Sequence, residues 1–141
     1  FNVVQGVGVS TGAQLVADPR IARVSFTGSV PTAKRIAQAA GANLVPCSLE
    51  LGGKSPFLVL EDADVEAAAA TGALMYRNAG QVCLAGTRFL VHERVADRFV
   101  AAMRALVERL RVGDPREEGT EVGPIIHPRQ VERVLGYIDR A

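Results

Sequence analysis

At 141 residues the chain is long enough to bury a core of its own, and 16 Lys and Arg against 15 Asp and Glu leave a formal net charge of +1. No basic stripe interleaved with aromatics accompanies that balance, which argues against a nucleic-acid partner, and no apolar run approaches the ~18 residues of a membrane span. Two cysteines, Cys47 and Cys83, and two scattered histidines, His92 and His127, suggest neither a disulfide scaffold nor a metal site, so a reducing compartment and a cytoplasmic location are expected.

Strand and helix signals alternate, as an α/β architecture requires. Residues 1–4, Phe-Asn-Val-Val, read as a strand already in progress, followed by Gln5-Gly6-Val7-Gly8 as a glycine turn. A short helix is predicted over residues 11–17, before Asp18-Pro19, then a strand over 22–26 with Thr27-Gly28-Ser29 as its turn. Pro31 suits the first turn of a helix running to Ala40, because its missing N–H is not needed there, and Gly41 offers a stop. A third strand is predicted over residues 45–51.

Gly52-Gly53 interrupts the pattern and marks a domain boundary, with residues 1–52 on one side and 53–141 on the other. Residues 56–60 are strand-like, and Asp62 and Asp64 are candidate caps for an alanine-rich helix from Val65 to about Arg77. The stretch around Cys83 reads as loop or helix end, and residues 88–92 as a strand. Val95, Phe99, Met103, Leu106 and Leu110 mark one face of an amphipathic helix, which Gly113-Asp114-Pro115 ends. Residues 119–128 read as loop. Val131, Val134, Leu135 and Ile138 then fall at i, i+3, i+4 and i+7 of a last helix. With a strand under way at one end and a helix running out at the other, the chain reads as an internal fragment.

A few short stretches carry chemistry. Gly6, Gly8 and Gly12 follow a predicted strand with a spacing one residue longer than the dinucleotide fingerprint; a cofactor contact and an ordinary glycine turn both stay open. Thr27-Gly28-Ser29 sits at a strand's carboxyl end, where open α/β sheets bind ligands and where the N–H groups of the next helix favour phosphate. It reads equally as a plain turn. Around Cys83, residues Gly80, Ala85 and Gly86 remove bulk, so a substrate has access to the sulfur. A helix beginning just after it would direct N–H dipoles at the sulfur and lower its pKa from ~8.5. A reactive thiol and a buried structural cysteine remain alternatives here, whereas Cys47, inside an apolar strand, reads as core. Glu50 ends a strand before two glycines that leave a carboxylate room to reach water as a general base; a solvated carboxylate or an ion pair with Lys54 is the alternative. His92 and His127 lie in polar contexts without an orienting motif, which argues against a protease-like pairing with Cys83.

Taken together, Phe26-Thr27-Gly28-Ser29, Leu49-Glu50-Leu51-Gly52-Gly53-Lys54-Ser55-Pro56, Asp62-Ala63-Asp64, the segment from Asn78 to Arg88, and Gly123-Pro124 closely resemble the aldehyde dehydrogenase superfamily in its order and spacing. The resemblance implies the C-terminal part of a Rossmann-like NAD(P)-binding domain over residues 1–52 and the N-terminal part of an α/β catalytic domain over 53–141. It implies oxidation of a small-molecule aldehyde to a carboxylate with NAD or NADP, in a homodimer or homotetramer, with no nucleic-acid or membrane partner and no metal. On it, Cys83 matches the nucleophile that forms a thiohemiacetal and then a thioester. Glu50 matches the base that activates water for hydrolysis, and the backbone N–H of Cys83 matches one oxyanion donor; the family's second donor, a side-chain amide, comes from a segment before residue 1. Ser29 matches a contact to the cofactor diphosphate, Gly8 a glycine under the adenosine, and Leu51 and Gly52 the lining of the nicotinamide pocket, while Gly28 shapes the turn. Val30 and Ala33 depart from the threonine and glycine common at those positions, from which altered cofactor affinity or geometry is expected, not lost chemistry. A coenzyme A-acylating member would need no hydrolytic base, so Glu50 argues against it. Retention of both Cys83 and Glu50 argues against a non-catalytic structural relative.

Overall fold

A computed structural model describes all 141 residues. The architecture is mixed α/β, and the chain divides into two compact units, Phe1–Gly53 and Lys54–Ala141.

In the first unit, a single wide turn over Gly8–Gly12 runs directly into helix α1, Ala13–Ala17. The helical stretch therefore begins three residues before the expected start at residue 11. The strand expected over residues 1–4 does not form. Those residues are exposed and no neighbouring strand takes their hydrogen bonds, and β propensity without a ladder partner does not make a strand. Strand β1, Val24–Gly28, and strand β2, Cys47–Leu51, pair in parallel with Val24 opposite Cys47 and Gly28 opposite Leu51. Parallel neighbours need a long crossover, and helix α2, Val30–Ala42, supplies it. Val24, Ala33 and Ala40 are buried in this unit.

The end of α2 differs from its sequence reading. Gly41 lies inside the helix, and the left-handed residue is Leu44, at φ 56°. The Val45 N–H donates to the Ala40 carbonyl at 2.9 Å and the Leu44 N–H to the Gly41 carbonyl at 3.1 Å, the paired bonds of a Schellman stop. Asn43 adds a side-chain bond to the Ala17 carbonyl at 2.9 Å, tying the end of α2 to the end of α1.

The second unit repeats the parallel crossover. Strand β3, Ser55–Val59, leads through helix α3, Val65–Ala73, to strand β4, Gly86–Val91, which lies parallel to β3. The register slips between Ser55 and Pro56, where proline has no N–H to offer the ladder. Of the two candidate caps it is Asp64 that acts, its carboxylate accepting the Ala67 N–H at 3.0 Å. The α-helix stops at Ala73, short of Arg77, and tightens into a 3₁₀ turn from Leu74 that breaks at Arg77, where ψ is 145°. Helix α4, Glu93–Val107, and helix α5, Pro128–Ile138, complete the unit. Inside the predicted loop, Val112 and Val122 form one isolated bridge.

The core of this unit is a layer of Val59, Val65, Ala69 and Phe99 between the strand pair and helices α3 and α4. Phe89 lies 5.4 Å from the Phe57 ring and 5.3 Å from the Phe99 ring, centroid to centroid, within the range of favourable aromatic pairing. Outside that layer, Arg98 pairs with Glu66, and Arg94 with Glu61 at 2.7 Å; both pairs are exposed, so packing and not charge holds α4 in place. Phe99 is 3% exposed while Val100, one residue on, is 57% exposed. Phe99→Ala is therefore expected to lower the denaturant-derived stability of the intact protein by about 3–5 kcal/mol. Val100→Ala should stay within about 0.5 kcal/mol of the native value in the same titration.

Candidate active site

The parallel register in the first unit brings four of the sequence-predicted positions together. Thr27 lies opposite Glu50 and Gly28 opposite Leu51 at the carboxyl ends of β1 and β2, with Gly52 immediately beyond. An added Cβ at Gly28 would come within 2.5 Å of the Phe26 ring, so no side chain fits there without displacing that ring. Ser29 caps α2 at φ −80° and ψ 148°. Its hydroxyl accepts the Thr32 N–H at 3.4 Å and lies 3.0 Å from the Thr32 hydroxyl. Glu50 is exposed at the strand end and takes part in no ion pair.

A cleft of about 460 Å³ opens in the same unit, lined by Val7, Gly8, Gly12, Phe26, Arg35 and Ile36 among others; of the predicted cofactor positions only Gly8 lines it. Its size is that of small-molecule and cofactor sites. A Cβ built on Gly8 meets no protein atom within 4 Å, so at this wall the absent side chain leaves room for a ligand. Of the two departures from the family pattern, Ala33 is 2% exposed and belongs to the core, while Val30 is 44% exposed.

Cys83 belongs to the second unit. It is exposed, a free thiol like the half-buried Cys47, so Cys47 is less deeply buried than its apolar strand suggests. The chain reaches Cys83 through a local reversal of backbone hand. Asn78, Ala79 and Gly80 have φ values of 51°, 54° and 75° in succession. A left-handed conformation costs a residue with a Cβ roughly 1–2 kcal/mol; asparagine and glycine tolerate it, and Ala79 carries the strain. The Ala85 N–H then bonds the Val82 carbonyl at 3.3 Å, which makes Cys83 and Leu84 the corners of a tight turn. At its first corner the Cys83 N–H takes no part in the turn's own bond. No helix begins just after Cys83: as the sequence reading has it, a strand follows, and residues from Gly86 onward join β4 and are held by the ladder to β3. Arg88 reinforces that pairing, donating from Nε to the Lys54 carbonyl at 2.8 Å. No helix dipole is aimed at the sulfur from that side.

Gln81 is the residue of this loop that sequence reasoning passed over. Its side-chain amide donates to the Asn78 carbonyl at 2.8 Å, and its Oε1 accepts the Ile126 N–H at 3.0 Å. The partner at residue 126 is too far along the chain for any local signal to mark it; only Asn-Ala-Gly, with two residues tolerant of the left-handed region around one that is not, hinted at the turn. His92 and His127 have separate tasks: each caps a helix, His92 Nδ1 accepting the Arg94 N–H at 3.3 Å and His127 Nδ1 the Arg129 N–H at 3.1 Å. The Arg20 guanidinium holds Asp18 down to about 2, and hydrogen bonds from Arg98 and Arg116 lower Glu66 and Asp114.

Two parallel strand–helix–strand crossovers, one edged by a glycine-walled cleft and the other carrying an exposed thiol on a strained loop, define a mixed α/β class of protein. The aldehyde dehydrogenase family model matches residues 1–141, and the chain belongs to that family. A provisionally named aldehyde dehydrogenase of Staphylococcus aureus (strain MSSA476) is 47% identical over 141 residues, covering 99% of this chain and 30% of that protein. HpcC from Thermus thermophilus superimposes with a TM-score of 0.91 at 42% identity, over 96% of this chain and 27% of that one. PnpE in complex with nicotinamide adenine dinucleotide gives a TM-score of 0.91 at 41% identity, over 95% of this chain and 28% of its own. The chain thus spans less than a third of the length of these relatives.

If the left-handed run is strained at Ala79, its relief is measurable. Ala79→Gly is expected to leave the thermal midpoint unchanged or raise it, whereas the β-branched Ala79→Val should lower it by several degrees, about 1–3 kcal/mol of added strain. Equal midpoints for the two variants would show that the turn carries no such strain.

Proposed function

We propose that the intact protein oxidises an aldehyde to a carboxylate with NAD or NADP, with Cys83 as nucleophile and Glu50 as the base for hydrolysis. The exposure of the Cys83 sulfur at the corner of a turn that leaves its own N–H free carries this reading most directly. On it, residues 1–52 are the C-terminal part of the cofactor domain and 53–141 the start of the catalytic domain.

The Cys83 thiolate attacks the carbonyl carbon, and its own N–H steadies the oxygen as negative charge develops there. The nicotinamide of the bound cofactor supplies a hydride acceptor. With hydride gone, the carbon is held as a thioester on Cys83. Glu50, unpaired and exposed at the end of β2, takes a proton from water, and the resulting attack releases the carboxylate and restores the thiol. A bound dinucleotide would find space for its adenosine beside Gly8 in the cleft, a diphosphate contact at Ser29 where α2 starts, and a border for its nicotinamide at Leu51 and Gly52. PnpE, similar over nearly all of this chain, has been seen with the same dinucleotide, which supports that use of the cleft. Free thiols at Cys47 and Cys83 suit a cytoplasmic location, and assembly as a homodimer or homotetramer follows from the resemblance. No helix is long and apolar enough to cross a membrane.

The test separates the two roles. Cys83→Ala should abolish turnover and the covalent acyl adduct. Glu50→Gln should keep a stoichiometric burst of reduced cofactor while steady turnover falls by about 10²–10⁴-fold. A Glu50→Gln protein that releases acid at the native rate would place the base elsewhere, and acyl-coenzyme A formed in preference to free acid would replace the hydrolytic reading with the acylating one.

A further inference from the structure

Cys83 is exposed at the corner of a short turn that a single 3.3 Å backbone bond closes. Gly80, at φ 75°, lies in the run that leads to it, and glycine resists ordering more than any other residue. A nucleophile that must align with both a carbonyl carbon and its own oxyanion donor needs the opposite. Something other than the small residues has to fix the loop.

We infer that Gln81 is a positioning residue for Cys83, holding the thiol in register by clamping the left-handed turn and anchoring it to the segment before α5. The inference rests on the reading of Cys83 as the nucleophile. Gln81 uses all four of its polar groups within this loop. Its backbone N–H donates to the Asn78 carbonyl at 3.0 Å, and its side-chain amide donates to the same oxygen at 2.8 Å. In return the Asn78 side chain donates to the Gln81 carbonyl at 3.1 Å. This reciprocal pair closes the ends of the turn that Asn78, Ala79 and Gly80 make. The remaining group, Oε1, accepts the Ile126 N–H at 3.0 Å, one residue before the histidine that caps α5. Cys83 thus lies between two fixed points, Gln81 on one side and Ala85, 7% exposed, on the other.

Only a side chain with both a donor and an acceptor at this length can do this. Glutamate keeps the acceptor for Ile126 but has no hydrogen for the Asn78 carbonyl; asparagine keeps both groups but is one methylene too short; alanine has neither.

In the intact protein, Gln81→Ala and Gln81→Glu would be assayed for turnover of an aldehyde that the native protein oxidises, for KM of the dinucleotide, and for the rate of Cys83 alkylation by iodoacetamide, located by peptide mass. Alkylation needs an accessible thiolate but no alignment. Gln81→Ala should lower kcat about 100-fold and Gln81→Glu about 10-fold, with dinucleotide KM and the alkylation rate both within about threefold of native. The inference is overturned if both variants keep kcat within about twofold of native, or if kcat and the alkylation rate fall together, since that pattern means loss of the thiol's access and not of its alignment. Should Gln81→Ala fail to fold, the isosteric Gln81→Glu decides alone by the same criteria. Cys83→Ala is run in parallel. If it retains turnover, the reading of the nucleophile fails. If it is inactive while the Gln81 variants are native-like, only the present inference fails.

Discussion

Helix α3 and strand β4 run in opposite senses along the second unit, and the chain between them has to be stopped, reversed and delivered in register beside β3. The succession of left-handed residues at Asn78, Ala79 and Gly80 is the constraint that does this. A right-handed continuation would extend the 3₁₀ segment and carry Gly86 away from its position opposite Ser55. A single strained alanine is tolerated because the hydrogen bonds around it are reciprocal and because β4, once placed, buries its share of the Phe57, Phe89 and Phe99 cluster. The energy that holds the loop thus comes largely from packing outside it, as is common where backbone strain sits at a functional position.

The first unit answers a different requirement with a different device. No left-handed residue lies among the predicted cofactor positions; the one such residue of this unit, Leu44, ends α2. What positions Gly28, Ser29, Glu50, Leu51 and Gly52 is the parallel ladder itself. Parallel register fixes which residues stand opposite each other, and successive residues alternate faces, so Thr27 and Glu50 share one face and Gly28 and Leu51 the other. The side chain missing at Gly28 is filled by the Phe26 ring, and the one missing at Gly8 is left open toward the cleft. Two glycines of the same unit therefore have opposite uses, one for internal packing and one for space.

Polar side chains with obvious chemical potential are mostly engaged in local structure. Ser29, Asp64, His92 and His127 each accept a backbone N–H at a helix start. These bonds satisfy donors that a helix cannot satisfy itself, and for the two histidines they commit Nδ1 to capping. Glu50 stands apart from this group: it is bound to no cation and caps no helix, in keeping with a carboxylate kept available for water.

Much of this was legible in the sequence, because it is local. Alternating apolar periods marked β1, β2, β3, β4 and the apolar faces of α4 and α5; Pro31 and Asp64 marked helix starts; and the family motifs around Ser29, Glu50 and Cys83 identified the chain. Ends of elements were read less well where the stop signal was unusual, as with Leu44 in the place of a glycine, or where the partner was missing, as with residues 1–4. What only the tertiary structure decided depends on contacts between residues distant in sequence. Gln81 bonds Ile126, forty-five positions on; β4 follows Cys83 because β3 is there to pair with it; and the space beside Gly28 is taken by the Phe26 ring, which a larger residue would have to displace. Periodicity and capping are written in neighbouring residues, whereas the alignment of a thiol is set by atoms that become neighbours only on folding.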